Sequence, residues 1–361
     1  MDDKYHNSAT AKGRIFQTLH RCRSAIALLF YLPAFVFSSP GCTGAEYVAE
    51  PYDRKEISLK IKAPERDGAF PGEGPVDIFI FNDDGLKRID SYQRLMPDGN
   101  GTVAAASRKG KKIVVAIANP QQEEYDWGSI SSFETISGMY ADLRKENPSA
   151  PVMSGVMYME ADDNGYFEME LHPVLSEICV RSIRCDFSGR PYNGAVLKNA
   201  SVYLANINSL AGIMEDDCFT PSAPINTDGL PDESRRVLGY PDMVFSEFGE
   251  DIGNSPVEPD IRLYCYPNSS AEDTAGTPFT RLVIAGEIEG RKYYYPVNIN
   301  KGEYAHVTGH SGIGRNCRYI LDIIIRQTGS NDPSVPVSPE TISIYASVEP
   351  WNEMPESVIG Y

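Results

Sequence analysis

Short stretches in which apolar and polar residues alternate recur throughout this chain of 361 residues, and clusters of Gly, Pro, Asn and Asp separate them. An alternation of period two predicts a β-strand with one buried face, and clustered turn residues predict where the strand ends. The strands predicted in this way cover residues 56–63, 76–81, 111–118, 153–159, 166–171, 176–187, 202–207, 262–266, 281–287, 292–299, 319–326 and 342–348. Because a single segment has a helical pattern, we expect an all-β chain that folds into two β-sandwiches.

That one helical segment is predicted over residues 131–147. Ser131 and Glu134 have the spacing of a capping box, and Pro148 ends the segment. The side chains expected to face the core recur at helical spacing and are Ile136, Met139, Tyr140 and Leu143.

Two turn sequences predict hairpins. Asp-Asp-Asn-Gly at 162–165 joins residues 153–159 to 166–171, and Glu-Gly at 289–290 joins 281–287 to 292–299. Near Gly189 the chain turns through Gly and Pro residues, and we expect a domain boundary there.

The first predicted strand, residues 56–63, has an unusual position in the chain. Its apolar residues lie on one face and are Ile57, Leu59, Ile61 and Ala63. The strand lies between an export signal and an exposed, turn-rich stretch whose one basic residue is Arg66. A strand between two processing sites can be removed, and its removal would leave an open apolar groove.

Residues 1–41 have the pattern of a signal peptide. A basic region precedes an apolar run at 25–37, and this run is too short for a bilayer span, which needs about 20 residues. Ser-Pro-Gly-Cys at 39–42 resembles a bacterial lipobox, in which the cysteine, here Cys42, is lipidated and becomes the mature N-terminus. Ordinary signal cleavage at the same place remains the alternative.

The charge of the chain excludes one class of partner. The formal net charge is −17, and residues 1–41 carry five Lys or Arg and two Asp or Glu, so the exported chain has −20. Binding to nucleic acid requires clustered basic residues, and we therefore expect no nucleic-acid partner. The cysteines beyond the signal are an odd set without framework spacing and predict neither a zinc site nor a disulfide scaffold: Cys179, Cys185, Cys218, Cys265 and Cys317.

The sequence contains no convincing catalytic or metal-binding motif. Gly-His-Ser-Gly at 309–312 approaches a serine-hydrolase elbow, but Ile313 occupies the place of the final glycine. His306 and His310 have the spacing of helical metal ligands, whereas Gly309 and the flanking strands predict a loop. We predict that the protein is not an enzyme and has no catalytic residues, no metal and no cofactor.

The order of several short motifs resembles the fimbrillin family of Bacteroidetes, the subunits of type V pili. The motifs of the second half are Tyr-Tyr-Pro-Val at 294–297, Ile-Gly-Arg-Asn-Cys-Arg-Tyr at 313–319, Gly-Ser-Asn-Asp-Pro at 329–333 and Val-Glu-Pro-Trp at 348–351. Those of the first half are Ile-Phe-Ile-Phe-Asn at 78–82, Ile-Ala-Asn-Pro at 117–120, Val-Met-Ser-Gly at 152–155 and the strand at 172–183. The resemblance covers roughly residues 42–361.

This resemblance implies a fold and a life cycle. It implies two transthyretin-like Greek-key β-sandwich domains, at 67–188 and 189–361, with one short helix in the first, after a signal peptide (1–41) and a lipidated propeptide (42–66). The precursor would reach the outer membrane through lipid on Cys42, and an arginine-specific surface protease would cut between Arg66 and Asp67. Subunits would then join an extracellular fimbrium by strand exchange with copies of the chain or with related subunits, and a receptor on host or bacterial cells is a further candidate partner.

The C-terminal segment is the strand that the resemblance implies as the donor. Its apolar residues have the spacing of those in the first strand, and the donor residues are Ile342, Ile344, Ala346, Val348 and Trp351. The alternative is that residues 342–348 are the last core strand of their own domain. Two other functions stay open: a minor tip or anchor subunit, and a surface carbohydrate-binding lipoprotein whose sugar site would contain Trp127 and residues 293–295.

Overall fold

A computed structural model describes residues 54–62, 74–121, 125–162, 165–214, 222–227, 243–268, 279–301 and 311–351. All of these residues belong to one compact unit of the chain. The strands of the first half are β1 Lys55–Lys62, β2 Val76–Asn82, β3 Ile89–Leu95, β4 Thr102–Ser107, β5 Gly110–Ala118, β6 Tyr140–Asp142, β7 Met153–Ala161, β8 Tyr166–Glu170 and β9 His172–Pro173.

The second half is also built from strands. They are β10 Ser176–Cys185, β11 Lys198–Ala205, β12 Ile207–Gly212, β13 Ser222–Ile225, β14 Phe245–Glu247, β15 Ile261–Cys265, β16 Arg281–Ile288, β17 Arg291–Asn298, β18 Cys317–Ile325 and β19 Ile342–Pro350. The helical segments described are the short helix α1 Phe133–Ser137 and two 3₁₀ turns, Trp127–Ser129 and Leu143–Lys145. The prediction of a nearly all-β fold is confirmed.

The strands form two packed pairs of sheets. In the first half, a five-stranded sheet of order β3-β2-β5-β7-β9 packs on a three-stranded sheet of order β4-β1-β8. In the second half, sheets of order β15-β10-β18-β19 and β14-β11-β16-β17 enclose a second core. A smaller sheet of order β13-β12-β6 joins a strand of the first half to two of the second. Each pair of sheets is a β-sandwich, since apolar rows from both layers meet between them.

Strands β2 and β5 are buried on both faces, as expected of the continuous apolar run predicted at 111–118. Ile78 and Val114 face the core beneath β1, whereas Phe79 and Val115 contribute to the larger core that continues into the second half. The two strands are therefore the central layer on which the first sandwich is built.

The long helix predicted at 131–147 is wrong. Within this range the α-helix covers only Phe133–Ser137 and ends at Gly138, and Leu143–Lys145 is a separate 3₁₀ turn. The chain then enters β6, which pairs antiparallel with β12. Tertiary pairing with a distant strand outweighs the local helical periodicity, and Gly138 lowers the cost of leaving the helix.

One predicted hairpin is confirmed and the other is wrong. Strands β16 and β17 pair around Glu289 and Gly290, which both have the positive φ of a tight hairpin turn. Strands β7 and β8 lie where the sequence predicts them, but β7 pairs with β5 and β9, whereas β8 pairs with β1. The chain changes sheet between β7 and β8, so their alternating patterns complement strands elsewhere and not each other.

Strand β10 connects to the second half of the chain. It pairs antiparallel with β15 and parallel with β18. The sequence places this strand at the end of the first domain, with the boundary after residue 188. The boundary stays a prediction.

Candidate functional site

The first strand, β1, lies at the centre of the three-stranded sheet. It pairs antiparallel with β4, with Leu59 opposite Val103, and parallel with β8, with Leu59 opposite Phe167. In the described residues, β4 and β8 have no other strand neighbour in this sheet. Removal of β1 would therefore separate the two remaining strands by the width of one strand and expose a backbone edge on each.

The apolar row of β1 fills the space between the two sheets. Ile57, Leu59 and Ile61 are at most 1% exposed, and Ala63 lies outside the described residues. Residues from the opposite sheet complete this core, among them Ile78 and Val114. Burial of each large side chain contributes about 1.5–3 kcal/mol, so β1 is a major component of this core.

Side chains of β3 hold β4 on the edge that faces away from β1. The Gln93 amide donates to the Ala106 carbonyl (2.9 Å), and the Ala106 N–H donates to Gln93 Oε1 (2.9 Å). The Ser91 hydroxyl donates to the same Ala106 carbonyl at 2.8 Å. The glutamine side chain thus takes the place of a neighbouring strand, and β4 has an anchor that does not depend on β1.

A buried ion pair fixes the end of β4. Lys112 Nζ lies 3.1 Å from Asp90 Oδ2 and 2.7 Å from Asn82 Oδ1, and the Arg108 N–H donates to Asp90 at 2.8 Å. Burial opposes ionisation of Asp90, but the hydrogen bonds from Arg108 and Lys112 outweigh it and lower the pKa of this carboxyl. The network ties the segment after β4 to strands of the opposite sheet.

The wall formed by β8 depends on a glycine. A Cβ atom added at Gly155 in β7 would lie 2.1 Å from the Glu170 carbonyl oxygen and 3.1 Å from Leu171. Only glycine permits so close an approach of the two backbones. This contact gives a physical role to the Val-Met-Ser-Gly motif at 152–155.

The outer, solvent-facing row of this sheet carries opposite charges. Lys60 lies opposite Glu168 and Lys62 opposite Glu170, and Lys62 Nζ is 2.5 Å from Glu168 Oε2. The hydrogen bond between Lys62 and Glu168 raises the pKa of the lysine and lowers that of the glutamate. The β8 rim of the groove is therefore acidic, and β1 supplies the matching cations.

The predicted donor strand is found as an edge strand of its own sheet. Strand β19 pairs along its whole length with β18, from Ile325–Ile342 to Cys317–Pro350. Ile342, Ile344 and Trp351 are buried, with the Trp351 ring 5.7 Å from that of Tyr264, whereas Ala346 and Val348 are partly buried. Among the described strands, β18 is its one neighbour.

Arg315 joins segments that are distant in sequence, and sequence reasoning gave it no role beyond its motif. Its guanidinium donates to the Ile213 carbonyl, the Ser154 hydroxyl and the His172 carbonyl, each at 2.9 Å. The neighbouring Asn316 lies 3.1 Å from the His172 ring. Three of the quoted motifs, at 152–155, 172–183 and 313–319, therefore meet in one hydrogen-bonded cluster between the two halves of the chain.

The aromatic residues proposed for a sugar site are packing residues. Trp127 is buried between Phe79 and Tyr125, with ring centroids 5.4 and 4.9 Å away. Tyr295 is fully buried, and Tyr293 and Tyr294 are half-buried. An exposed stacking platform is what sugar binding needs, and these side chains do not form one.

Several predicted features fall outside the described residues. They are Cys42, Arg66, Asp67, His306 and His310. Among the cysteines that the structure describes, Cys179, Cys185, Cys265 and Cys317 are free thiols. The described residues contain no group of three metal-ligating side chains, and none of the described helices is long and apolar enough to span a membrane.

Comparison with known proteins gives matches in structure and none in sequence. No family model and no curated protein matches the chain. Among solved structures, a candidate cell adhesion protein from Parabacteroides distasonis matches with a TM-score of 0.62 and 15% identity, over 84% of this chain and 99% of that one. A fimbrilin from Porphyromonas gingivalis matches with a TM-score of 0.59 and 14% identity, over 84% and 99% of the two chains.

A third neighbour, a candidate cell adhesion protein from Bacteroides eggerthii, has a TM-score of 0.60 and 13% identity over 83% of this chain and 97% of that one. These neighbours are named as adhesion and fimbrial proteins, and none of the three as an enzyme. The chain thus shares its fold with these three proteins. The resemblance to fimbrillins that the motifs indicate is confirmed at the level of the fold.

Proposed function

We propose that this chain is a structural subunit of a fimbrium and not an enzyme. The observation that carries the proposal is β1: a strand central in its sheet, with its apolar row fully buried, whose sequence lies between a predicted export signal and a single basic cleavage candidate. The shared fold with a fimbrilin and with cell adhesion proteins supports it.

The proposed pathway starts with export as a lipoprotein. Lipid on Cys42 tethers the precursor to the outer membrane, and β1 completes the first sandwich during that stage. An arginine-specific surface protease then cuts after Arg66, so that the mature chain starts at Asp67. Loss of β1 opens the groove between β4 and β8, and the exposed edges of those strands accept a strand from another subunit.

The chain also supplies a strand in this pathway. Because β19 is an edge strand with one described neighbour, it can leave β18 without dividing a sheet in two. Ile342, Ile344, Ala346 and Val348 have the alternation that an apolar groove in another subunit requires. At each contact between subunits, the pairing of β19 with β18 would be replaced by a pairing of similar length between β19 and the groove of the next subunit.

N-terminal sequencing of the protein released from the cell surface tests the proposal. A mature N-terminus at Asp67, together with high-mass species that resist unboiled gel electrophoresis, is the expected result. A surface form that starts at Cys42 and migrates as a single band would contradict it and would favour an anchor subunit or a lipoprotein unrelated to pili.

A further inference from the structure

The groove that β1 occupies has one uncharged rim and one acidic rim. Its β4 rim carries Thr102, Ala104 and Ala106 on the outer face and is uncharged. Its β8 rim carries the exposed side chains Glu168 and Glu170. The strand seated in the groove places a lysine opposite each of these glutamates.

The C-terminal strand of the same chain lacks this pattern. If Ile342 and Ile344 take the places of Ile57 and Leu59, then Tyr345 faces Glu168 and Ser347 faces Glu170. A shift of two residues in one direction places Glu349 opposite Glu170. A shift in the other direction places Glu340 in the apolar core. No register that keeps the apolar row inside puts a cation on the acidic rim.

The whole C-terminal segment is acidic. Residues 342–361 contain Glu349, Glu353 and Glu356 and no Lys or Arg. In contrast, β1 contains Lys55, Lys60 and Lys62 against one acidic residue, Glu56. Like charges placed side by side on neighbouring strands are destabilising, and the strongly negative chain also repels approaching copies of itself.

We propose that the groove accepts a strand from a second kind of subunit, one with Lys or Arg at the two outward positions opposite Glu168 and Glu170, in preference to residues 342–350 of another copy. This inference rests on the proposed replacement of β1. On this basis the chain joins unlike subunits and is not the repeating unit of a homopolymer. Apolar side chains that fill the groove do not distinguish one donor strand from another, whereas the acidic rim does.

Peptide exchange into the groove tests the inference. A unique protease site is placed after Arg66 in the full chain, the chain is cut, and both pieces stay in solution. Fluorescent peptides then compete with the cut strand for the groove, and anisotropy measures their affinity. The probes are residues 54–63, residues 340–352, and residues 340–352 with Tyr345→Lys and Ser347→Lys.

The lysine-substituted peptide should bind about three- to tenfold more tightly than the unsubstituted one at low salt, as expected for two solvent-exposed ion pairs. The preference should vanish at about 1 M salt, where screening extends over about 3 Å. It should also vanish in the matched control chain with Glu168→Gln and Glu170→Gln, which keeps the shape of the rim.

Equal binding of the two C-terminal peptides at low salt would overturn the inference, as would a preference that survives high salt or the glutamine substitutions. Failure of the 54–63 peptide to exchange is a different result. It would show that β1 is not replaceable, and the proposed function itself would then be wrong.

Discussion

Leu59→Ala should weaken the precursor and leave the assembled fimbrium unchanged. Leu59 is fully buried at the centre of β1, between β4 and β8 and beneath the five-stranded sheet. Truncation of a buried leucine to alanine costs about 2–5 kcal/mol, because transfer free energy is lost and a cavity remains. The proposed cleavage removes this strand, so the substitution should not change the stability of the mature subunit.

Urea denaturation of the purified precursor and thermal dissociation of isolated fimbriae measure the two effects. For the precursor, about 2–5 kcal/mol is a large part of a typical domain stability of about 5–15 kcal/mol. Ile78→Ala is the matched control, since Ile78 faces the same core from the opposite sheet and stays in the mature chain. It should weaken both forms.

Two results would refute this reasoning. Fimbriae from the Leu59→Ala variant that dissociate as early as those from Ile78→Ala would show that β1 stays in the assembled subunit. An unchanged precursor would show that Leu59 does not support the core in the way its burial indicates.

Three further predictions address processing, donation and pH. Cys42→Ala should abolish labelling by a fatty-acid analogue, and Arg66→Ala should accumulate precursor on immunoblots; unchanged labelling or normal maturation would contradict these steps. Ile324→Cys combined with Ser343→Cys, which lie opposite each other in β18 and β19, should lock β19 in place and block its transfer until a reductant is added; transfer that is equal with and without reductant would place the donor elsewhere. Burial raises the pKa of Glu146 to about 7, although hydrogen bonds from the Tyr266 hydroxyl and the Val152 N–H oppose the shift. Because the folded chain favours the protonated carboxyl, the contribution of Glu146 to folding stability is fully present below its unfolded pKa near 4.5 and is lost as the pH rises through 7, at a cost of about 3 kcal/mol. Glu146→Gln should therefore make the urea midpoint less dependent on pH between pH 5 and about 8. An equally steep pH profile in the variant would assign the effect to other groups.

The sequence by itself determined where most strands lie and which faces they bury. The alternation in β1, the continuous apolar run of β5 and the Glu289–Gly290 turn all correspond to structure, because strand burial and turn geometry are local properties of the chain. The same alternation identified Ile57, Leu59 and Ile61 as the inner row of the candidate site.

Apart from the β16–β17 hairpin, only the tertiary structure decided which strands pair. Strand β8 adds to β1 and not to β7, β6 replaces a helix by pairing with β12, and β10 joins β15 and β18. Partners separated by many residues leave no local pattern, and a pairing of this kind overrides a weak helical preference.

The residues that form the walls of the groove could not be predicted from the sequence either. Gln93 has no distinctive context, and its role appears only where its amide meets the backbone of Ala106. The role of Glu168 and Glu170 as an acidic rim can be recognised only from the parallel pairing of β8 with β1, which places them beside Lys60 and Lys62. Local periodicity assigns a residue to a face of its strand, whereas the neighbour across that face is set by the packing of the whole chain.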